Sequence, residues 1–170
     1  MTWLLALAVA LLGCKGRDAG KGAGEGAGSL SAVAHLPAKL SVDFVYVQRD
    51  GESGPSAILK GGISKALISL EKNPTREVDV TISEECPGCA GSAWSSSIWM
   101  GAFLATSLKG NYLADYKFSV RARGFIDGPS AGALLSASML AMLTGAPILP
   151  KVAMTGALNP DMSIGPVGGI

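Results

Sequence analysis

Alternating hydrophobic and polar residues predict strands in three segments of the chain, namely residues 41–47, 77–82 and 117–122. A period of two places hydrophobic side chains on one face of a strand and polar side chains on the other. Two later segments, 152–155 and 162–167, also predict strands. The intervening Asn159-Pro160-Asp161 is typical of a turn, so these two strands would follow each other closely.

Two longer segments predict helices, residues 93–108 and 129–144. Pro129 suits a first helical position and Gly145 suits the residue after the last turn. Hydrophobic residues surround the second helix, so we expect it to be buried on most sides. Residues 56–70 are ambiguous, and we expect a short strand that leads into a helix such as 63–71. The alternation of strands and helices predicts a domain of the α+β class.

An uninterrupted hydrophobic run covers residues 3–12. It is too short to span a bilayer as a helix and suits the core of a secretory signal peptide. The run ends in Leu11-Leu12-Gly13-Cys14, which resembles the lipobox of bacterial lipoproteins, although only the amino terminus supplies positive charge before it. The resemblance implies that residues 1–13 are a signal peptide, and that a lipid on the Cys14 sulfur anchors the protein to a bilayer of the bacterial cell envelope. The alternative is a buried N-terminal helix with an incidental cysteine.

Residues 14–35 consist largely of glycine, alanine and charged residues. Such a segment costs much conformational entropy to order and has little apolar surface to bury, so we expect a flexible tether. A folded domain over residues 36–170 would follow. The whole chain of 170 residues is 48% hydrophobic and 16% charged, a balance that excludes general disorder.

The charge of the chain argues against one class of partner, and its single histidine excludes one kind of metal site. The formal net charge is +1, from 14 basic and 13 acidic residues, and no cluster of lysine or arginine is interleaved with aromatic residues. We therefore expect no nucleic-acid partner. His35 is the single histidine, which excludes a histidine-rich metal site, and we expect it to be solvated at the domain edge. We also expect no metal and no other cofactor, and the sequence contains no phosphate-binding loop motif.

Ser130 stands where a serine could serve in acyl transfer. The predicted helix places it in a first turn, where unpaired backbone N–H groups and the positive end of the helix dipole converge. Such donors can stabilise an oxyanion, and the small neighbours Gly128, Ala131 and Gly132 would let a substrate approach. A serine at the start of a helix is more often a simple cap, so this pattern alone leaves both interpretations open.

The motif Asp127-Gly-Pro-Ser-Ala-Gly132 resembles the nucleophile motif of the Lon protease family, and residues 152–156 and 164–170 resemble the segments that follow it there. The resemblance implies a mixed sheet with packed helices and a Ser–Lys dyad that cleaves polypeptides. Ser130 would be the nucleophile, Thr155 would support the dyad by orienting the lysine, and Asp127 would be a motif residue of less certain role. The family's tendency to form rings implies a homo-oligomeric ring.

The family's catalytic lysine would fall shortly after Ile170, and Lys151 is better explained as an ordinary charge at a strand end. We therefore expect the chain to be a fragment, truncated at its C-terminal side and inactive in this form. No ATPase motif is present, so we expect cleavage without ATP. The alternative function is a non-catalytic envelope lipoprotein that uses the peptidase fold as a binding or scaffold module.

Two short motifs invite other interpretations. Cys86-Pro-Gly-Cys89 would suggest half a zinc site or a redox pair in a reducing cytosol, but zinc needs two further ligands. In the oxidising envelope that the lipobox implies, a local disulfide is favoured. Residues 54–57 repeat the letters Gly-Pro-Ser-Ala after a polar turn, and we expect a loop there.

Overall fold

A computed structural model describes residues 38–50 and 58–168. The predicted signal peptide and tether lie outside the described residues, as do Cys14, His35 and the second Gly-Pro-Ser-Ala segment. The strands and helices, in chain order, are β1 (Ala38–Asp50), β2 (Ile58–Lys72), β3 (Asp79–Ser83), α1 (Ser92–Lys109), β4 (Tyr116–Ala122), α2 (Gly132–Thr144), β5 (Ala157–Leu158) and β6 (Ile164–Gly165).

A four-stranded sheet in the order β1-β2-β4-β3 forms the base of the fold. β2 pairs antiparallel with both β1 and β4, whereas β3 and β4 are parallel and are connected through α1. Parallel neighbours need such a crossover, because a tight turn can join only antiparallel strands. The result is a mixed sheet with packed helices, so the predicted α+β class is confirmed.

The helix predicted at residues 63–71 is wrong, because this stretch belongs to β2. Ala66, Ile68 and Leu70 are fully buried, while Ile63 and Leu67 on the opposite face are exposed. A period of two therefore runs through the segment. Pairing with β1 on one side and β4 on the other satisfies its backbone, and such long-range pairing overrides local helix propensity.

Two helices cover one face of the sheet and close the core. α1 confirms the helix predicted at residues 93–108, and its Trp94 ring lies 5.3 Å from the ring of Phe44 on β1. α1 and α2 approach closely at Gly101, where a Cβ would lie 3.3 Å from the backbone nitrogen of Ser136. Within the described ranges, no helix is long and apolar enough to cross a membrane.

α2 begins at Gly132, three residues later than the predicted Pro129. Pro129 to Ala131 form a turn instead, in which the Gly132 N–H donates to the Pro129 carbonyl at 3.0 Å. The Ser130 carbonyl accepts hydrogen bonds from the segment after α2, and this tertiary pairing replaces a first helical turn. The predicted end is confirmed, because Gly145 adopts a φ of 69° that favours glycine.

The strands predicted at 152–155 and 162–167 are largely wrong. The first contains only an isolated bridge between Ala153 and Asp43, and the second is reduced to β6, which pairs with β5. The predicted turn does join β5 and β6, through hydrogen bonds between Asn159 and Ser163. The stretch before β5 instead uses its polar groups to bond the turn before α2, and therefore cannot extend the sheet.

Candidate active site

A cleft of about 790 Å³ lies between the β1–β2 hairpin and the segment that leads into α2. Tyr46, Val47 and Ile63 line it on the side of the hairpin, residues 125–131 line it on the side of α2, and residues 166–168 complete the lining. The lining is mainly apolar. Among the described residues that line the cleft, Asp127 alone carries a charge. A cleft of this size and polarity suits an uncharged stretch of a larger molecule.

The hairpin side of the cleft depends on a close contact that the sequence analysis missed. The Tyr46 ring lies against Gly62, where a Cβ would be 2.7 Å from Cζ and Oη of the tyrosine. Any side chain at this position would therefore displace the ring that lines the cleft. The sequence did contain an indication of this contact. Gly61 and Gly62 interrupt a strand-forming segment, and glycine inside a strand often marks a place where another group approaches the backbone closely.

Ser130 lines the cleft and is half-buried. Its carbonyl accepts a hydrogen bond from the Gly156 N–H at 2.7 Å and another from the Thr155 hydroxyl at 3.1 Å. The structure thus brings Ser130 and Thr155 together, and the Thr155 hydroxyl contacts the main chain of the serine. Among the described residues, no side chain is hydrogen-bonded to the Ser130 hydroxyl.

Close packing holds the segment after α2 against the start of that helix. The Gly156 carbonyl accepts from the Ala133 N–H at 3.1 Å, which completes a two-way connection between the segments. A Cβ at Gly156 would lie 3.3 Å from the Ala133 Cβ, and one at Gly132 would lie 3.2 Å from the backbone nitrogen of Leu158. Glycine at both positions therefore permits the approach that fixes the Ser130 backbone.

The turn that carries Ser130 has backbone N–H groups that could act as donors. The N–H groups of Ser130 and Ala131 form no hydrogen bond with other groups of the described residues. Both precede the first residue of α2, where the helix dipole places partial positive charge. Unpaired N–H groups at this end of a helix can stabilise a negative oxygen.

Asp127 lies three residues before Ser130 and contacts α1. Its Oδ1 atom accepts hydrogen bonds from the backbone N–H groups of Ala93 at 3.2 Å and Trp94 at 3.4 Å. The N-cap residue of α1 is Gly91, which has no side chain to fill this role. The Asp127 carboxylate therefore caps α1 from a distant part of the chain.

The loop before α1 is bonded directly to the segment before Ser130. Cys86 and Cys89 are joined by a disulfide, with Cα atoms 5.4 Å apart. The Ile126 N–H donates to the Cys89 carbonyl and the Gly91 N–H donates to the Ile126 carbonyl, both at 2.8 Å. The Gly124 N–H also donates to the Glu85 carboxylate at 3.1 Å. The short CxxC loop thus supports the segment before Ser130 through these hydrogen bonds.

Other candidate chemistry lies elsewhere. Lys151 is exposed in a turn and adopts a φ of 61°, in the left-handed region that most side chains avoid. In the part of the chain that the structure describes, no group of three histidine, cysteine or acidic residues could hold a metal ion. Hydrogen bonds from the hydroxyl and backbone N–H of Ser163 lower the pKa of Asp161 below 3.8, in the turn between β5 and β6.

Comparison with known proteins connects the candidate site to one family. The profile of the Lon protease (S16) C-terminal proteolytic domain matches residues 124–170. Over 44 residues the chain is 54% identical to Lon protease 1 of Bdellovibrio bacteriovorus and 43% identical to Lon protease 1 of Syntrophotalea carbinolica. Each alignment covers 26% of this chain, and 6% and 5% of the respective relatives. The family profile therefore covers the segment that carries Ser130 and Thr155, and the chain spans only a small part of the length of each relative.

Proposed function

We propose that the protein is a serine-type endopeptidase in which Ser130 attacks the carbonyl carbon of a peptide bond. The observation that carries the proposal is the position of Ser130, in an apolar cleft and inside the segment that matches the Lon proteolytic domain. The backbone N–H groups at the start of α2 would stabilise the oxyanion that forms when the serine oxygen attacks.

The reaction needs a base, and we propose a lysine supplied by residues that follow Ile170 in the complete protein. A neutral amine would take the Ser130 proton as the oxygen attacks, and the ammonium would then protonate the leaving amine. Water would hydrolyse the resulting acyl-enzyme and regenerate the serine. Burial in an apolar site would lower the pKa of that lysine, because burial penalises the charged form.

The cleft supports a polypeptide as substrate. Exposed Phe125 and Ile63 extend the apolar lining to the surface, so an extended peptide can lie between the hairpin and the serine. A folded substrate would not reach the half-buried Ser130. We propose that the substrates are unfolded or loosely folded polypeptides.

The direct test is hydrolysis of an unfolded, fluorescently labelled polypeptide by the protein expressed from its complete gene. We expect hydrolysis that is lost with Ser130→Ala, and the matched control is Ser136→Ala, which removes a hydroxyl inside α2. Hydrolysis that survives Ser130→Ala would contradict the proposal. Absence of hydrolysis in the wild type would favour the non-catalytic binding or scaffold module instead.

We also propose that the protein is tethered to the envelope through acylated Cys14. The sequence supports this through the hydrophobic run and the lipobox-like residues that precede Cys14. Metabolic labelling with a fatty acid should modify the wild type and not Cys14→Ser, which should leave the membrane fraction. Equal membrane association of the two proteins would contradict tethering.

Energy dependence and assembly are separate proposals. We propose that cleavage proceeds without ATP, because the proposed tether would hold the protein in the cell envelope, where little ATP is available. Stimulation of the purified protein by ATP alone would contradict this. We propose a homo-oligomeric ring from the family resemblance, and a monomeric mass in light scattering would contradict that proposal.

A further inference from the structure

α1 begins without a capping side chain of its own. Its N-cap residue is Gly91, with φ of −70° and ψ of 165°, and no side chain of that residue can accept the first helical N–H groups. Ala93 and Trp94 are the second and third residues of the helix, the positions whose N–H groups a capping oxygen normally accepts. The Asp127 carboxylate accepts both.

Gly91 is required for this arrangement. A Cβ built on Gly91 would overlap Cγ and Oδ1 of Asp127, so the carboxylate occupies the space of the missing side chain. The backbone conformation itself is extended and open to any residue. Glycine is therefore needed for space, and its conformational freedom is unused. Asp127 can contact the N-terminus of α1 only because residue 91 has no side chain.

The contact links α1 to the nucleophile through a short path. Asp127 is followed by Gly128, whose φ of 101° turns the chain sharply into the Pro129-Ser130 turn. α1 in turn packs on α2 at Gly101, so the two ends of the turn rest on two helices that contact each other. Movement of Asp127 relative to α1 would therefore move the whole turn, with Ser130 and the N–H groups of Ser130 and Ala131, relative to the cleft.

We propose that Asp127 is a positioning residue, which holds the turn that carries Ser130 and its oxyanion N–H groups in place at the cleft by anchoring the segment before it to the N-terminus of α1. This inference rests on the proposed peptidase function and deepens it. Asp127 acts through the backbone of the turn and does not itself contact the reacting atoms. A cap that only stabilised α1 would affect folding alone, so the two roles can be separated.

A double variant can return a capping group to α1 without restoring the contact between α1 and the segment before Ser130. Asp127→Ala removes both, whereas the double variant Gly91→Ser/Asp127→Ala places a capping hydroxyl on α1 itself, in the space that the carboxylate vacates. The measurements are Tm, kcat and KM of the protein from its complete gene with an unfolded polypeptide. Asp127→Asn is the conservative control, because its amide oxygen can accept the same two bonds.

We expect Asp127→Ala to lower Tm and to lower kcat by about 100-fold with little change in KM, as for a misplaced nucleophile. The double variant should recover Tm but not kcat, and Asp127→Asn should keep kcat well above that of Asp127→Ala. Recovery of kcat together with Tm in the double variant would show that Asp127 serves only to cap α1, and would overturn the inference. An unchanged kcat in Asp127→Ala would also overturn it. A wild type without Ser130-dependent hydrolysis would contradict the proposed function, and the inference with it.

Discussion

At the scale of single residues, the main chain of Ser130 is held from two directions. Thr155 and Gly156 bond its carbonyl, while Asp127 anchors the residues before it to α1. The sequence motif indicated that these residues belong together. The sequence could not show that Thr155 bonds the serine backbone or that Asp127 reaches α1, because both contacts join segments that are distant in the chain.

Removal of the Thr155 hydroxyl tests its contact with the Ser130 carbonyl. Thr155→Val keeps the shape of the side chain but deletes the donor, which should cost about 1 kcal/mol of unfolding free energy for the lost hydrogen bond. Peptidase kcat should fall with it, since the turn that carries Ser130 loses a support. Thr155→Ser keeps the hydroxyl and is the matched control. Equal stability and activity of Thr155→Val and the wild type would show that the contact contributes neither.

The pKa of Asp161 reports on the turn between β5 and β6. Hydrogen bonds from the Ser163 hydroxyl and N–H favour the ionised carboxylate, so its pKa lies below 3.8 in the folded protein. Their stabilising effect is complete above the unfolded-state value of 3.8, and it is lost as the pH falls through the lower folded-state pKa. We expect NMR to place the Asp161 titration midpoint below 3.8, and Ser163→Ala to raise it. A midpoint at or above 3.8 in the wild type would contradict the hydrogen bonds from Ser163 to Asp161.

At the scale of elements, the CxxC loop, α1 and the segment before Ser130 form one hydrogen-bonded unit. Cys89 is almost completely buried, and its carbonyl accepts from the Ile126 N–H. The disulfide closes the loop that presents this carbonyl. Loss of the disulfide should therefore affect the turn that carries Ser130.

Hydrogen exchange can detect that connection. In Cys86→Ala/Cys89→Ala the cross-link is gone, and the chain-entropy model gives a loss of roughly 2 kcal/mol for so short a loop. We expect faster amide exchange at Ile126 and Gly91, whose N–H groups bond across the two segments. The amides at the centre of α2 serve as the internal control. Unchanged exchange at Ile126 would show that the loop keeps its form without the disulfide.

The local sequence pattern predicted several strands and helices correctly and failed for others. β1 and β4 were predictable because their alternating pattern matches their burial, and α1 because its segment is long enough for a helix. β2 was not, because its mixed pattern left the segment ambiguous between strand and helix, and pairing with β1 and β4 decided it. The start of α2 was predicted too early, since Pro129 is a good first helical residue and only the tertiary bonds of Ser130 exclude it.

At the scale of the whole molecule, the candidate site is assembled from parts distant in sequence. The β1–β2 hairpin, the first turn of α1, the turn before α2 and residues 166–168 all border one cleft. The family profile matches only residues 124–170, yet β1 and β2 also line the cleft. The motif could therefore point to Ser130 as a candidate nucleophile but not to the cleft beside it.

The most direct measurement is covalent labelling of the protein from its complete gene with a peptidyl fluorophosphonate. An activated serine oxygen attacks the phosphorus, fluoride leaves, and the phosphonyl group stays on the residue. The proposed function predicts one adduct per chain, mapped to Ser130 by peptide mass spectrometry and absent from Ser130→Ala. Labelling at a different serine, or equal labelling of wild type and Ser130→Ala, would contradict the assignment of Ser130 as the nucleophile.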